Sequence, residues 1–169
     1  MKIFLIGFMG SGKTTLGRKL AARMNYEFID LDHMLEKQVE LSIAEYFQFF
    51  GEDSFRKKES EILKKTVYPE NAVISTGGGL PCYFDNMGWM KANGKVVYLQ
   101  LPPKTLADRL ETGKEERPLL QDKHGDDLIA FIETKLAERE PFYTQANIIA
   151  DGLSLTAEKL EEILLVENN

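Results

Sequence analysis

The sequence predicts an α/β protein in which helices cover both faces of a parallel β-sheet. Three observations predict this class. Short runs of apolar, β-favouring residues alternate along the chain with longer segments of helical periodicity. A glycine-rich segment joins the first run to the first helical segment, and acidic and glycine residues follow the next two runs. Strands that alternate with helices form parallel sheets, because each helix returns the chain to the edge where the next strand begins.

The predicted strands are short and mainly apolar, and they cover residues 2–6, 26–29, 71–75, 95–101 and 147–150. The predicted helices have apolar residues at spacings of three and four, and they cover residues 16–24, 33–40, 42–50, 53–66, 83–92, 106–112, 126–139 and 156–166. Pro102 and Pro103 are interpreted as the end of the fourth strand. Because no linker or internal repeat interrupts the alternation, a single domain over residues 1–169 is expected.

The composition is that of an ordinary globular protein, with 43% hydrophobic and 28% charged residues among 169. The 21 Lys and Arg against 27 Asp and Glu give a net charge of −6, which disfavours a general nucleic-acid or membrane-surface binder. The single cysteine, Cys82, excludes an intrachain disulfide and a Cys-rich zinc site, and we interpret it as a small hydrophobic residue. With no membrane-length apolar run and no signal peptide, a cytoplasmic location is expected. We also expect a monomer with small-molecule partners.

Residues 7–14 read Gly-Phe-Met-Gly-Ser-Gly-Lys-Thr and match the phosphate-binding pattern G-x-x-x-x-G-K-[ST]. A strand before the segment and a helix after it are the context that this motif requires. Its glycines allow positive φ, so that successive N–H groups point into one concavity at the start of a helix. Lys13 can reach the β- and γ-phosphates, and the Thr14 hydroxyl suits Mg²⁺. The segment predicts nucleotide binding, the alternative being a glycine-rich turn that contains a lysine by chance.

Polar residues follow the second and third predicted strands. Asp30 and Asp32 end the second strand, and Gly77, Gly78 and Gly79 follow the third. Ligands of parallel sheets bind beyond the carboxyl ends of the strands, so we expect these residues to converge with the phosphate loop. One carboxylate could hold hydrated Mg²⁺ while the other orients a substrate hydroxyl and takes its proton, or both could be helix caps. Three glycines cost backbone entropy and suit a place where a ligand contacts main chain, although a flexible turn is the alternative.

Two arginines are aligned with apolar helix faces. Arg56 and Glu59 lie close to the apolar stripe of the predicted helix at 53–66, and Arg139 lies in line with core residues of the helix at 126–139. Arg56 and Glu59 could form a surface pair, or Glu59 could orient the guanidinium to hold an anion. An arginine near a helix end could also simply neutralise that end. The pair of arginines suggests a site for a carboxylate substrate.

Residues 113–124 form a charged segment that is too polar for a core. In a phosphoryl-transfer enzyme such a segment can close as a lid, and Arg117 is the candidate for contacting the transferred phosphate, with Lys114 second. Arg109 could stack on adenine as a flat cation.

Two further sets of residues are given no role in chemistry. The histidines have no partner at metal-ligand spacing and are interpreted as surface residues; they are His33 and His124. The aromatic residues are interpreted as core or pocket wall, and they include Phe47, Phe49, Phe50 and Trp89.

Together these residues resemble the shikimate kinases, small P-loop kinases of aromatic amino-acid and chorismate biosynthesis. The resemblance covers nearly the whole chain. The matching segments are 7–14, Phe28-Ile29-Asp30-Leu31-Asp32, Ile43-Ala44-Glu45 with Phe47, Phe55-Arg56 with Glu59, Gly77-Gly78-Gly79, Arg117-Pro118-Leu119-Leu120, and Arg139 with Tyr143. The ordered set is far more specific than the phosphate loop alone.

The resemblance implies five parallel strands in the order 2-3-1-4-5, a substrate-binding region at about 32–60 and a lid at about 112–124. It implies that MgATP phosphorylates the 3-hydroxyl of shikimate, with Asp32 as the base and Lys13 and Arg117 on the phosphates. The implied ATP-binding residues are Gly10, Ser11, Gly12, Lys13, Thr14, Thr15, Arg109 and Arg117. The implied shikimate-binding residues are Asp32, Phe47, Phe55, Arg56, Gly77, Gly78, Gly79 and Arg139. The implied Mg²⁺ ligands, directly or through water, are Thr14 and Asp30.

Other functions compete with this interpretation. Another small-metabolite kinase, such as a gluconate or nucleoside-monophosphate kinase, would share the phosphate loop, but the two arginines and the glycine triplet argue against it. A GTPase would have an Asn-Lys-x-Asp motif, which this sequence lacks. An inactive ATP-binding subunit is disfavoured by Lys13, Asp32 and Arg117. Residues 151–154 lack the basic residue or proline expected near adenine, so no adenine contact beyond Arg109 is predicted.

Overall fold

A computed structural model describes residues 1–113, 120 and 122–167 of the chain. All neighbouring strands pair in parallel, in the order β2-β3-β1-β4-β5, which confirms the expected sheet. The strands are β1 (Lys2–Ile6), β2 (Glu27–Asp30), β3 (Ala72–Ser75), β4 (Lys95–Gln100) and β5 (Ile148–Asp151). The helices are α1 (Lys13–Met24), α2 (Leu31–Val39), α3 (Ile43–Lys65), α4 (Asn86–Asn93), α5 (Pro103–Thr112), α6 (Gly125–Tyr143) and α7 (Ala157–Val166), and a 3₁₀ turn covers Leu80–Cys82.

The central strand β1 divides the core into two layers. Successive residues of a strand face opposite sides of the sheet. Phe4 and Ile6 accordingly pack in a core that includes residues of α2 to α6, whereas Ile3 and Leu5 pack in a second core with α1 and α7. Helices therefore cover both faces, as the alternation of elements predicts. Within the described residues, no helix is both long and apolar enough to cross a membrane.

The register of the sheet places the predicted site residues at one edge. Asp30 at the end of β2 lies opposite Ser75 of β3, and Ser75 lies opposite Leu5 of β1. The chain then leaves β1 into the phosphate loop and leaves β3 into the glycine triplet. The side-chain hydroxyl and the N–H of Thr76 both donate to the Leu5 carbonyl, at 3.1 and 3.2 Å, which ties the two exits together.

Several helix boundaries differ from those predicted, and proline explains one of them. Helix α5 begins at Pro103, because the fixed φ and missing N–H of proline suit the first helical position. Helix α6 continues beyond Arg139 through Pro141 to Tyr143. The helix predicted at 83–92 is preceded by the 3₁₀ turn and begins only at Asn86, where a new helical segment starts after the turn.

The expectation that Phe49 and Phe50 belong to the core or a pocket wall is wrong. Phe49 is 67% exposed and Phe50 is 58% exposed. They lie on α3 just before Gly51, where the helix is interrupted. His33 and His124 are exposed, as expected.

Helix α3 is bent at Gly51, where φ is 80° and ψ is 173°. This conformation is essentially restricted to glycine. The break separates the part of α3 that begins at Ile43 from the part that carries Arg56 and Glu59, and it agrees with the two predicted helices at 42–50 and 53–66. A capping box between Ser42 and Glu45 begins the first part.

Replacing Gly51 with Ala is expected to lower the free energy of unfolding by about 1–3 kcal/mol through backbone strain. Steric contact does not contribute, because no heavy atom lies within 4 Å of the position of its Cβ. Gly88→Ala is the matched control: Gly88 is exposed, also has nothing within 4 Å, and lies in regular helix α4, so the change should stabilise by about 0.5–1 kcal/mol. Urea unfolding that gave both substitutions the same sign would contradict this explanation of the bend.

Candidate active site

The phosphate loop has the backbone conformation that its glycines predict. The φ angles of Gly7, Gly10 and Gly12 are 149°, 80° and 92°. Gly12 is the N-cap of α1, so the positive end of the helix faces the loop. Lys13 is 8% exposed, and its ammonium donates to the carbonyls of Gly7 at 2.8 Å and Phe8 at 3.0 Å. The loop therefore holds a buried cation beside an anion-binding backbone.

A hollow of about 350 Å³ adjoins the outer side of the phosphate loop. Its size is in the range of small-ligand sites. Arg109 of α5 extends over the loop, with Nη1 3.4 Å from the position that a Cβ on Gly12 would occupy. The lining residues are Ser11, Gly12, Thr15, Leu16, Lys19, Leu99, Arg109, Gly152, Leu155, Thr156 and Ala157. The structure thus brings Arg109 and the loop together, and it adds Leu155 and the start of α7, which no local sequence signal indicates.

Asp30 caps a helix and also lies beside Thr14, so both interpretations of this residue, a helix cap and a metal-site carboxylate, agree with its position. Its Oδ1 accepts from the N–H groups of Asp32 at 3.0 Å and His33 at 3.3 Å, so Asp30 caps helix α2. Its Oδ2 accepts from the Thr14 hydroxyl at 3.3 Å. A carboxylate and a hydroxyl oxygen therefore lie side by side at the edge of the phosphate loop.

The three consecutive glycines leave space for charged side chains of the protein itself. A Cβ on Gly79 would lie 2.5 Å from Nη1 and 2.6 Å from Cζ of Arg56. A Cβ on Gly77 would overlap Glu59 Oε2 and lie 3.0 Å from Asp32 Oδ1. The flexible-turn interpretation is therefore wrong, because close packing of charged groups requires these glycines.

The middle glycine lies between α6 and the phosphate loop. A Cβ on Gly78 would lie 3.3 Å from Arg139 Nη1 and 3.2 Å from the backbone N of Met9. Arg139 is 5% exposed, and its guanidinium carbon lies 5.2 Å from the centre of the Phe8 ring. Because the residue is buried and α6 continues for four more residues, Arg139 does not act as a solvent-exposed cation at the helix end.

Arg56 and Glu59 form a buried pair, so the surface-pair interpretation is wrong. They are 4% and 3% exposed, and Arg56 Nη1 donates to Glu59 Oε1 at 3.0 Å. Two residues that the sequence analysis did not identify complete the arrangement. Glu52 accepts from Arg56 Nη2 at 3.3 Å, and the Tyr83 ring stacks 4.5 Å from the guanidinium carbon. Glu52 carries the i, i+4 spacing to Arg56 that could have identified it, whereas Tyr83 approaches only through the tertiary fold.

The pKa values of Glu59 and Arg56 are both raised above their ordinary values. Burial raises the pKa of Glu59 from 4.5 to about 7, which outweighs the attraction of Arg56, and the charge of Asp32 raises it further. Burial lowers the pKa of Arg56, but the charge and hydrogen bond of Glu59 outweigh burial and leave that pKa raised. Arg56 therefore stays charged, while Glu59 exchanges its proton near neutral pH.

Three polar atoms of this cluster are buried and have no hydrogen-bond partner among the described residues. They are Arg56 Nε, Glu59 Oε2 and Arg139 Nη1. Each such atom costs about 1–3 kcal/mol when nothing satisfies it. Two guanidinium donors in this condition beside Gly78 and Gly79 suit an anionic ligand with several acceptor atoms.

The remaining predicted site residues are placed as follows. Phe55 is buried beside the guanidinium of Arg56, and the half-buried Phe47 packs on it with ring centres 4.6 Å apart. Four predicted residues of the lid lie outside the described residues, and they are Lys114, Arg117, Pro118 and Leu119. The predicted lid at about 112–124 therefore stays a prediction.

Comparison with known proteins agrees with this geometry. The family model described as "Shikimate kinase" matches residues 9–166. A shikimate kinase of Bacteroides fragilis is 45% identical over 169 residues, which are 100% of this chain and 92% of that protein.

Two solved structures are also similar. The shikimate kinase of Bacteroides thetaiotaomicron has a TM-score of 0.91 and 43% identity, and the match covers 97% of this chain and 98% of that one. The shikimate kinase of Acinetobacter baumannii in complex with shikimate has a TM-score of 0.88 and 33% identity, and the match covers 99% and 94% of the two chains. The chain therefore belongs to the shikimate kinase family.

Proposed function

We propose that the protein transfers the γ-phosphoryl group of ATP to the 3-hydroxyl of shikimate, giving shikimate 3-phosphate and ADP in aromatic amino-acid biosynthesis. Membership of the family supports the proposal, as does the similar Acinetobacter protein solved with shikimate. The observation that carries it is the pair of buried guanidinium groups with unsatisfied donors, Arg56 and Arg139, beside the glycine triplet. Such a site is suited to the carboxylate of a small hydroxy acid.

The substrate carboxylate would bind between α3 and α6. Arg56 Nε and Arg139 Nη1 would donate to its oxygens, and the main chain of Gly78 and Gly79 would form the floor of the site. Arg56 is already oriented by Glu59 and by the Tyr83 ring, so little conformational freedom remains to be lost on binding. Phe47 and Phe55 would contact the apolar part of the ring from the side of α3.

The reaction would proceed by in-line attack of the substrate hydroxyl on the γ-phosphorus. The proton of the hydroxyl would pass to the Asp32 carboxylate, the new O–P bond would form, and ADP would leave with the electrons of the broken bond. Asp32 is in the first turn of α2 and lies against the Gly77 Cα, which is one residue from the carboxylate site. Lys13, on the phosphate loop, and Arg117 would stabilise the charge on the phosphoryl oxygens, and positioning and electrostatics supply most of the catalysis.

The ATP and metal sites would share the N-terminus of α1. Gly10, Ser11, Gly12, Lys13, Thr14 and Thr15 would surround the phosphates, and Arg109 would stack on adenine in the adjoining hollow. Mg²⁺ prefers oxygen ligands, and the adjacent oxygens of Thr14 and Asp30 fit this preference, directly or through water. When bound, the ion would neutralise charge on the β- and γ-phosphates.

The proposal includes a cytoplasmic monomer as the working form, with no nucleic-acid or membrane partner. A net charge of −6 disfavours attraction to nucleic acid or anionic lipid.

Release of ADP in a coupled assay with Mg²⁺ and ATP is expected only when shikimate is added.

Asp32→Asn should lower kcat by about 10²–10⁴, because it removes the base, while ATP still binds. Asp53→Asn is the matched control, since Asp53 is an exposed carboxylate of α3 outside the cluster, and it should retain wild-type kcat. Absence of shikimate-dependent ADP release in the wild type would overturn the proposed function, and wild-type turnover in Asp32→Asn would remove Asp32 from the role of base.

The free energy of unfolding is expected to fall as pH rises from about 5 to 7 because of Glu59. Its folded-state pKa of about 7 exceeds the usual 4.5, so in this range the folded protein binds more protons than the unfolded chain. The contribution is complete below pH 4.5 and is lost through pH 7, at about 1 kcal/mol per pH unit.

Glu59→Gln should therefore remove this part of the pH dependence in urea unfolding at pH 5 to 8. The control is Glu61→Gln, because the lysines Lys65 and Lys58 lower the pKa of the half-buried Glu61 and place its titration below this range. Parallel curves for the wild type and Glu59→Gln would contradict the assignment.

A further inference from the structure

We propose that Tyr143 is a positioning residue of the substrate site, whose hydroxyl holds the Gly78 carbonyl and thereby fixes the main chain that faces the substrate carboxylate. The inference rests on the proposed function, because it concerns the same site. Tyr143 is fully buried at the end of α6, and its hydroxyl donates to the Gly78 carbonyl oxygen at 2.5 Å. The partner is 65 residues away in sequence, so this bond joins two separate elements.

Helix α6 contacts Gly78 at two points one helical turn apart. Arg139 places Nη1 beside the Gly78 Cα, and Tyr143, four residues later on the same helix face, binds its carbonyl. The cation that would bind the substrate and the group that holds the main chain are therefore parts of one rigid element. A change in the Gly78 main chain would alter its distance from Arg139 directly.

The Gly78 carbonyl accepts its hydrogen bond from a side chain, that of Tyr143, whereas the carbonyls of Gly77 and Gly79 accept from backbone N–H groups. The carbonyl of Gly77 accepts from Leu80 N at 3.2 Å, and that of Gly79 accepts from Cys82 N at 3.0 Å. In the described part of the chain, no backbone N–H donates to the Gly78 carbonyl. Tyr143 therefore sets the orientation of this peptide unit.

The orientation of that unit bears on the site because a peptide group is planar. When the Gly78 carbonyl points to Tyr143, the N–H of Gly79 must point in the opposite direction. A rotation of the unit would redirect both groups and would move the main chain against the guanidinium of Arg56, which lies within 2.6 Å of the position of a Gly79 Cβ. The tyrosine hydroxyl thus influences Arg56 through the main chain, and it interacts with the Arg139 side chain directly.

Tyr98 provides a matched control in the same helix interface. It is 1% exposed, its ring centre is 4.9 Å from that of Tyr143, and its hydroxyl donates to Glu140 Oε1 of α6, also at 2.5 Å. Burial raises the pKa of both tyrosines, so both hydroxyls stay protonated donors at neutral pH. The acceptor of Tyr98 is a side chain outside the substrate cluster, whereas the acceptor of Tyr143 is the site's own main chain.

The test compares Tyr143→Phe with Tyr98→Phe in the coupled ADP assay and by calorimetric titration with shikimate. Tyr143→Phe should weaken shikimate binding about tenfold, because the Gly78 main chain is no longer held in place and must be ordered when the substrate binds. The KM for ATP should stay within about twofold of wild type. Tyr98→Phe should leave both values within about twofold. Assays at about 15 °C, near the usual temperature of maximum stability, keep a destabilised variant folded.

Two outcomes would overturn the inference. One is wild-type shikimate affinity in folded Tyr143→Phe. The other is the pattern that a purely structural role would produce: an equal loss of shikimate affinity in both variants, or a loss of ATP binding that parallels the loss of shikimate binding. The wild-type assay separates this inference from the proposed function: if the wild type does not phosphorylate shikimate, the proposed function fails, and if it does while Tyr143→Phe binds normally, only the inference fails.

Discussion

The close approach of charged side chains to the main chain of residues 77–79 is the constraint on which the site depends. Asp32, Arg56, Glu59 and Arg139 come from three different helices and meet within van der Waals distance of these glycines. Any side chain on Gly77 or Gly79 would occupy the space of a charged group. The parallel sheet makes the meeting possible, because the carboxyl end of β3 lies beside that of β1, where the phosphate loop begins.

Burying these charged groups together is costly. Arg56 and Glu59 compensate one another, but the cluster retains three buried polar atoms without partners among the described residues. Breaking or leaving incomplete such a network is destabilising in a low-dielectric interior. Burial of apolar side chains in the two cores on either side of the sheet offsets this cost. An anionic substrate that accepted hydrogen bonds from these atoms would remove part of this free-energy cost. A site whose donors are already in position therefore binds such a substrate more tightly.

Local patterns predicted much of the fold and part of the site. The phosphate loop, the strands and the charged positions beside apolar stripes are encoded by short spacings, and the structure confirms their geometry. The order of the strands came from resemblance, since periodicity identifies strands but not their neighbours. The start of α5 was predicted too late, because Pro103 was interpreted only as the end of a strand and not as the first residue of a helix. The contact of Tyr83 with Arg56, and the reason for the triplet at 77–79, could not be predicted because both arise from packing between elements distant in sequence.

The most direct test of this account is calorimetric binding of shikimate and of its neutral carboxamide to the wild-type protein. If the buried guanidinium groups of Arg56 and Arg139 bind a carboxylate, the amide should bind about 30- to 1,000-fold more weakly, corresponding to a loss of about 2–4 kcal/mol of charged hydrogen bonding. Arg139→Met should reduce this discrimination, and Arg23→Met, a change of a surface arginine paired with Glu161, should not. Equal affinity of the wild-type protein for the acid and the amide would contradict the account.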